Sequence, residues 1–176
     1  VNAATRVKVH DNGVAAFNNG VALGVGTANT ASNVLDDYEE GTFTPTFASS
    51  GATITHDQQF GHYTKIGRLV TFRIKLRTDS ISGGTSTSAL TITGLPFTSP
   101  AGDVNQGSSI SIGYRGDFSG NGNFPEGGII GANSTSVSIY DMGGSNNNTS
   151  YSTMTLSDLG TGANNNTLFL SGTYYS

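Results

Sequence analysis

Alternating apolar and polar residues recur along most of the chain and predict short β-strands. The clearest example is residues 68–77. Its apolar members are Val70, Phe72, Ile74 and Leu76, and they alternate with Thr71, Arg73, Lys75 and Arg77. A period of two places one set on each face of a strand. We therefore predict that Phe72 is buried and that Arg73 lies outside the core.

Weaker alternation predicts further strands. The sets that should share a face are Phe43, Pro45 and Phe47 in one strand; Leu90 and Ile92; Ile110, Ile112 and Tyr114; Val137 and Ile139; and Leu168, Leu170 and Tyr174. Stretches rich in Gly, Asn and Ser separate these sets, as turns do. Together they predict an all-β fold, either a sandwich or a jelly roll. No segment is convincingly helical.

Residues 1–34 differ from the rest. Residues 5–10 alternate like a strand, and Asn12-Gly13-Val14-Ala15 recurs as Asn19-Gly20-Val21-Ala22. Each unit holds too few apolar side chains to form a core alone, so it needs a neighbour to cover it. We predict a β stem followed by a linker at 25–34, and a head at 35–176. An ordinary hairpin packed on the head, or a loose terminus, is the alternative.

Composition and charge narrow the function. Only 11% of the 176 residues are charged, 25 are glycine and none is cysteine. The net charge of −4 argues against nucleic-acid binding, which needs a basic surface. Without cysteine the chain has neither disulfides nor thiolate metal sites. No apolar run approaches the roughly 18 residues that a membrane span needs, so no membrane insertion is predicted.

Candidate catalytic or metal-binding groups are weak. The densest charge is the cluster Asp36, Asp37, Glu39 and Glu40, interpreted as a solvated joint between stem and head. The loop that begins at Asp117 resembles a calcium loop, but Gly128 stands where a bidentate Glu is required. His10, His56 and His62 have no partner at metal-ligand spacing. We therefore predict no metal, no cofactor and no catalytic residues, and hence no enzyme.

Loop aromatics are the best candidates for ligand binding, because ring faces stack on sugars and loops concentrate binding residues on a rigid β scaffold. The predicted contact residues are Tyr114, Asp117, Phe118, Asn121, Phe124, Tyr140 and Tyr151. Some of these rings could instead cap the core. The basic stripe Arg73, Lys75 and Arg77 has three interpretations: a contact for an anionic polysaccharide, a contact for a neighbouring subunit, or a solubilising face.

Four phrases in order carry a family resemblance. They are LDDYEEGTFTPT at 35–46, YTKIG at 63–67, ITGLPFTS at 92–99 and LSGTY at 170–174. Together they resemble the C-terminal jelly-roll domain of bacteriophage tail fibres and other projecting virion proteins. The resemblance implies a homotrimer. In such a trimer the last strand, with Tyr174 and Tyr175 almost at the terminus, is a candidate for an axial position.

The resulting hypothesis is a non-enzymatic virion protein on the particle exterior. Its trimeric head would adhere to a host surface glycan, and residues 1–34 would contact other virion proteins. Two alternatives remain open. One is a capsid decoration protein or head fibre that stabilises the capsid. The other is a polysaccharide-degrading enzyme, which would need two carboxyl groups facing each other across a groove at about 5–10 Å.

Overall fold

The computed structural model describes residues 7–18, 20–22, 34–35, 37–102, 108–119, 123–142 and 151–176. In these residues the strands are β1 Val7–Val9, β2 Ala15–Phe17, β3 Val21–Ala22, β4 Val34–Leu35, β5 Tyr38–Phe43, β6 Thr46–Ser49, β7 Ala52–Ile66, β8 Leu69–Gly83, β9 Leu90–Thr93, β10 Ser108–Gly116, β11 Gly127–Ile130, β12 Ser136–Asp141, β13 Ser152–Thr153 and β14 Asn165–Tyr175. The helical content of the described part is one 3₁₀ turn, Leu156–Asp158. The prediction of an all-β fold is confirmed.

Ten strands form one curled sheet. Its order is β5-β7-β8-β14-β10-β11-β12-β9-β6, with β13 added on β12, and each printed pairing is antiparallel. In the described part of the chain, the curl encloses one hydrophobic core on the concave side of the sheet. The described residues include no helix that is long and apolar enough to cross a membrane.

The hairpin β7–β8 contains the two longest strands of the sheet, each of 15 residues. Ile66 pairs with Leu69, so the turn consists of Gly67 and Arg68 alone. Gly67 has φ of 56°. A positive φ at the first central position is what primed two-residue hairpin turns require, and glycine adopts it without steric cost. The register that this turn sets is then reinforced by burial of one face of β8.

The core is built from the apolar sets that alternation predicts. Its buried members on the main strands are Phe47, Val70, Phe72, Ile74, Leu76, Leu90, Ile92, Ile110, Ile130, Val137, Ile139, Leu168, Leu170 and Tyr174. Phe72 is buried and Arg73 is exposed, as predicted. Tyr174 is buried within the single chain, whereas Tyr175 is exposed.

Two of the strand predictions are wrong in detail. Residues 42–47 are not one strand: β5 ends at Phe43, β6 begins at Thr46, and the two lie at opposite ends of the sheet order. Pro45 lies between them, where it costs no ladder hydrogen bond. Ile110, Ile112 and Tyr114 do not share a face either. The register of β10 against β14 shifts between Ile112 and Tyr114, and this bulge turns Tyr114 outward.

Side chains of β7 connect it to β6 and so close the curl. The backbone N–H of Phe47 donates to Nε2 of His56 at 3.1 Å, and the two rings stack with centroids 5.9 Å apart. Farther along, Nε2 of Gln59 donates to the Pro45 carbonyl and to Oγ1 of Thr46, both at 3.0 Å. Polar groups at this end of β6 are thereby satisfied without a backbone ladder to β7.

We expect this closure to weaken in acid. Burial lowers the pKa of His56 below its ordinary value, with a smaller opposing effect from the Asp57 carboxylate. The unfolded chain therefore takes up this proton more readily than the folded one, so the stabilisation present above about pH 6.5 is lost as the pH falls below it. Protonated Nε2 can no longer accept the Phe47 N–H.

Thermal unfolding of the native chain and of His56→Gln at about pH 7.5 and about pH 5 measures this effect. The difference between the thermal midpoints of the two proteins should become smaller in acid. Glutamine can still accept the hydrogen bond and does not titrate, so only the native chain loses this stabilisation. An identical pH dependence in both proteins would show that His56 does not contribute.

The N-terminal strands bury little of their side-chain surface. All described residues from Val7 to Asn18 are exposed, and β1 pairs only with β2 in the described part of the chain. β3 pairs with β4 through Val21–Leu35 and Ala22–Val34. The predicted linker falls outside the described residues except for Val34. The boundary between stem and head at 34/35 stays a prediction.

Candidate functional site

The residues predicted for ligand binding lie in several separate places. Tyr114 is half exposed on β10, with its ring edge against Phe169 at 5.5 Å. Asp117 follows that strand with φ of 59°. Phe118 is partly buried and packs against the hydrophobic core. Asn121 lies outside the described residues. Tyr114, Asp117 and Phe118 therefore do not project together from one loop.

The remaining candidates form two further contacts. The Arg115 guanidinium lies 5.0 Å from the ring centroid of Phe124 and pairs with Glu126 at 3.0 Å. Tyr140 and Tyr151 form an edge-to-face pair with centroids 4.9 Å apart. Each contact is local, and the structure does not bring the six described candidates into a single site.

The convex face of the sheet carries side chains that are mostly not among those predicted to bind a ligand. Cross-strand pairing places Thr42, His62, Arg73, Ser171 and Ser111 in one continuous row across β5, β7, β8, β14 and β10. Directly opposed residues in such a row have Cβ atoms about 5 Å apart. One polar row thus crosses five strands on the face opposite the core.

An aromatic row runs beside the polar one. Phe60 on β7 faces Lys75 on β8, which faces Phe169 on β14, and Tyr114 is the next neighbour. Phe60 is 55% exposed and Phe169 is 38% exposed, although both are large apolar rings. The ammonium group of Lys75 lies 5.1 Å from the Phe169 ring centroid, a cation–π distance.

Two adjoining depressions follow these rows and together form what we call the outer groove. The first has a volume of about 420 Å³ and the second about 730 Å³, and they share His62, Arg73 and Ser171. The first adds Phe60, Lys75, Ser111 and Phe169; the second adds Glu40, Thr64 and Thr71. Exposed rings beside hydroxyl and charged groups make this surface suited to a polar ligand with apolar patches.

Two basic side chains of the outer groove lack a carboxylate partner, as Lys8 and Arg68 also do among the described residues. Elsewhere in the described part of the chain, Lys65 pairs with Asp37, and Arg115 pairs with Glu126. Arg77, at the edge of the aromatic row, donates from Nε to both carboxylate oxygens of Asp57 at 2.8 and 3.0 Å. This contact lowers the pKa of Asp57. Arg73 and Lys75 form no such pair with any described residue.

Glu40 is the carboxylate that lines the groove. It accepts a hydrogen bond from the Tyr38 hydroxyl at 2.9 Å, and that bond raises the pKa of Tyr38. Within the described ranges, no group of three or more His, Asp or Glu side chains is placed to hold a metal ion. The groove offers groups for stacking, for hydrogen bonding and for charge interactions.

The four family-resembling phrases meet at one inner end of the sheet. Tyr174 Oη donates to the Phe97 carbonyl at 3.0 Å and accepts the Phe97 N–H at 3.2 Å. The Phe97 ring packs edge-to-face on Tyr63 at 5.3 Å. Tyr63 in turn donates to Glu39, which raises the tyrosine pKa. Each phrase supplies one member, so these phrases hold strands together, and three of them also supply groove residues, namely Glu40, Thr64 and Ser171.

Sequence reasoning missed the aromatic part of the groove. Phe60 and Phe169 lie on strands, whereas the sequence prediction placed aromatic ligand contacts in loops. Phe169 stands between Leu168 and Leu170, at the position that alternation assigns to solvent. A large apolar residue in a polar position of an alternating strand is the signal that could have found it.

The chain is similar to one characterised phage protein. Over 98 residues, 56% of this chain, it is 34% identical to the capsule KN4-specific depolymerase of Klebsiella phage K64-1. The matched region is 12% of the length of that depolymerase. No family model matches the chain, and no solved structure does. Because a depolymerase is an enzyme, this similarity overturns the prediction of a non-enzymatic protein. It supports the relation to phage proteins.

Proposed function

We propose that this chain is part of a phage tail protein that binds the capsule polysaccharide of its host. The similarity to a capsule-specific depolymerase is the observation that carries the proposal. The outer groove supports it, because the apolar rings of Phe60 and Phe169 line it and are 55% and 38% exposed.

The contact would use two kinds of group. Ring faces of Phe60, Phe169 and Tyr114 would stack on the apolar faces of successive sugars. Hydroxyl groups of Ser111 and Ser171, which lie between the aromatic row and the second depression, would hydrogen-bond to sugar hydroxyls. An extended polymer fits a groove of this shape better than a compact ligand does, because the two depressions adjoin along several strands.

The proposed setting is the head of a jelly-roll type on a tail fibre or another fibre projecting from the virion exterior. We propose that the head is a homotrimer and that residues 1–34 contact other virion proteins. Two features support this. The strands β1 and β2 expose Val7, Val9 and Phe17, which one chain leaves uncovered in its described part. Beside them lies an exposed apolar row of paired residues, Tyr38, Ile66, Leu69 and Tyr175.

Symmetric partners would cover both features. The solution mass should then be about three times the 18.1 kDa chain mass. Light scattering measures it. A monomer at micromolar concentration would contradict the proposed trimer. It would not contradict the proposal that the chain binds polysaccharide.

Binding to cells tests the proposed ligand. The labelled chain should bind encapsulated Klebsiella strains and should not bind capsule-deficient mutants of the same strains. Soluble purified capsule polysaccharide should compete for the binding. Equal binding to encapsulated and capsule-deficient cells would contradict the proposal, and so would a complete failure to bind any strain in a broad set of capsule types.

Cleavage of capsule polysaccharide is a second candidate, favoured by the enzymatic nature of the relative. Glu40 and His62 are the carboxylate and the imidazole that line the groove, and these are side-chain types that serve as general acids and bases. If this chain cleaves, incubation with a polysaccharide that it binds should release reducing ends. Glu40→Gln or His62→Gln should then abolish the release without abolishing binding. Binding with no released ends would leave the chain as a binding module.

A further inference from the structure

The outer groove contains two basic side chains without acidic partners. The protein as a whole carries four more negative than positive charges, counted as 12 Asp and Glu against 8 Lys and Arg. Even so, Arg73 and Lys75 lie on the same face of β8, two residues apart, and no described carboxylate pairs with either. The adjacent Arg77 shows the alternative arrangement, since Asp57 engages its guanidinium from the neighbouring strand.

The groups around Arg73 leave its guanidinium available. Its cross-strand neighbours are His62 and Ser171, and both depressions include all three residues. Arg73 is exposed, and its guanidinium presents a planar fork of donors that matches a carboxylate bidentately. Lys75 lies over the Phe169 ring, next to the position where a sugar would stack.

We propose that the outer groove recognises an acidic sugar in the polysaccharide, with its anionic group on Arg73 and its ring on Phe169. This inference rests on the proposed capsule-binding function and specifies its ligand. Lys75 adds positive charge beside the same sugar, while Ser171 and Ser111 contact neutral sugars along the chain. A neutral polymer would leave the two cations without a partner and would gain only the stacking.

The test compares native and carboxyl-reduced forms of a panel of purified capsule polysaccharides, with binding measured by titration of the full 176-residue chain. We expect the polysaccharides that bind to be acidic and to bind more weakly as ionic strength rises. Arg73→Gln should weaken their binding about ten- to hundred-fold, because a hydrogen bond to a charged group is lost. Carboxyl reduction should have a similar effect.

The control is Arg68→Gln, which removes the same charge at the hairpin turn. Arg68 donates to the Ser176 carbonyl at 3.3 Å and lies outside the groove. The Arg68→Gln variant should bind like the native chain. The native chain, Arg73→Gln and Arg68→Gln should all unfold at similar temperatures. If binding survives carboxyl reduction yet falls with salt and with Arg73→Gln, the anion is a phosphate or sulfate, and the acidic-sugar proposal still holds.

Three outcomes would overturn the inference. One is tight binding to a neutral polysaccharide that Arg73→Gln leaves unchanged. Another is native-like binding of acidic polysaccharide by Arg73→Gln. The third is a loss of oligomer mass in Arg73→Gln, which would assign the groove to a contact with acidic residues of a second copy. Failure to bind any polysaccharide would instead remove the capsule-binding function, and the inference with it.

Discussion

Replacing Phe72 with alanine should lower the free energy of unfolding by about 3–5 kcal/mol, the range typical of a fully packed phenylalanine. Phe72 is 2% exposed, and its ring lies edge-to-face on Tyr174 at 5.8 Å. A Cβ placed on Gly172 would come within 2.9 Å of the Phe72 ring. The ring therefore fills the space that the glycine leaves, and a truncation opens a cavity that the neighbouring strands cannot close.

Chemical denaturation at a fixed protein concentration measures this loss, because an oligomer would make the midpoint concentration-dependent. Thr71→Ala is the matched control. It lies next to Phe72 on the exposed face of β8 and should change stability by no more than about 0.5 kcal/mol. A cost below about 1 kcal/mol for Phe72→Ala would mean that β8 does not bury this face in solution.

The success with β8 and the failure with β10 have one physical explanation. Alternation predicts which face of a strand is buried as long as the strand keeps its period. β8 keeps it from Val70 to Leu76 against the core, and the prediction is confirmed. In β10 the bulge at Gly113 inserts one residue, and every side chain after it changes face. A lone Gly inside an alternating strand is a weak sign of such a bulge.

Pairing between distant strands is the second property that the sequence does not show. The segment 42–47 alternates well enough for one strand, yet β5 pairs with β7 and β6 pairs with β9. Which strands neighbour each other depends on how the whole chain packs. The outer groove combines β5, β7, β8, β14 and β10, so its residues are scattered from Glu40 to Ser171 in sequence. Their joint position appears only once the sheet is assembled.

The family-resembling phrases alone do not identify a binding site. Lys65 pairs with Asp37 between the second phrase and the first, and its ammonium lies 5.4 Å from the Phe97 ring of the third. These contacts fix the inner end of the sheet. Glu40, Thr64 and Ser171 belong to the same phrases yet line the outer groove, so the phrases alone do not separate residues that hold the fold from residues that contact a ligand.

The double substitution Phe60→Ala and Phe169→Ala should reduce affinity for capsule polysaccharide about a hundredfold or more. Truncating one central aromatic contact costs about 2 kcal/mol in typical interfaces, and each 1.4 kcal/mol is tenfold in Kd. Both rings are partly exposed on the convex face, so their removal takes little from the core. Thermal stability should consequently stay close to that of the native chain.

The matched control is Tyr140→Ala with Tyr151→Ala, the aromatic pair that sequence reasoning placed in the binding site. These rings contact each other at 4.9 Å and are not among the residues lining the outer groove. Phe118 is unsuitable for the comparison because it packs against the core, and its loss would change folding and binding together. The control variant should bind polysaccharide as the native chain does.

The two variants together locate the contact. Loss of binding in the groove variant alone would assign the ligand to the convex face, because equal numbers of rings are removed in both proteins. Loss in the tyrosine variant alone would return the site to the segments flanking 143–150 and would contradict the outer groove. The thermal midpoint of each variant must be measured alongside the titration, since only a folded protein that fails to bind identifies a contact residue.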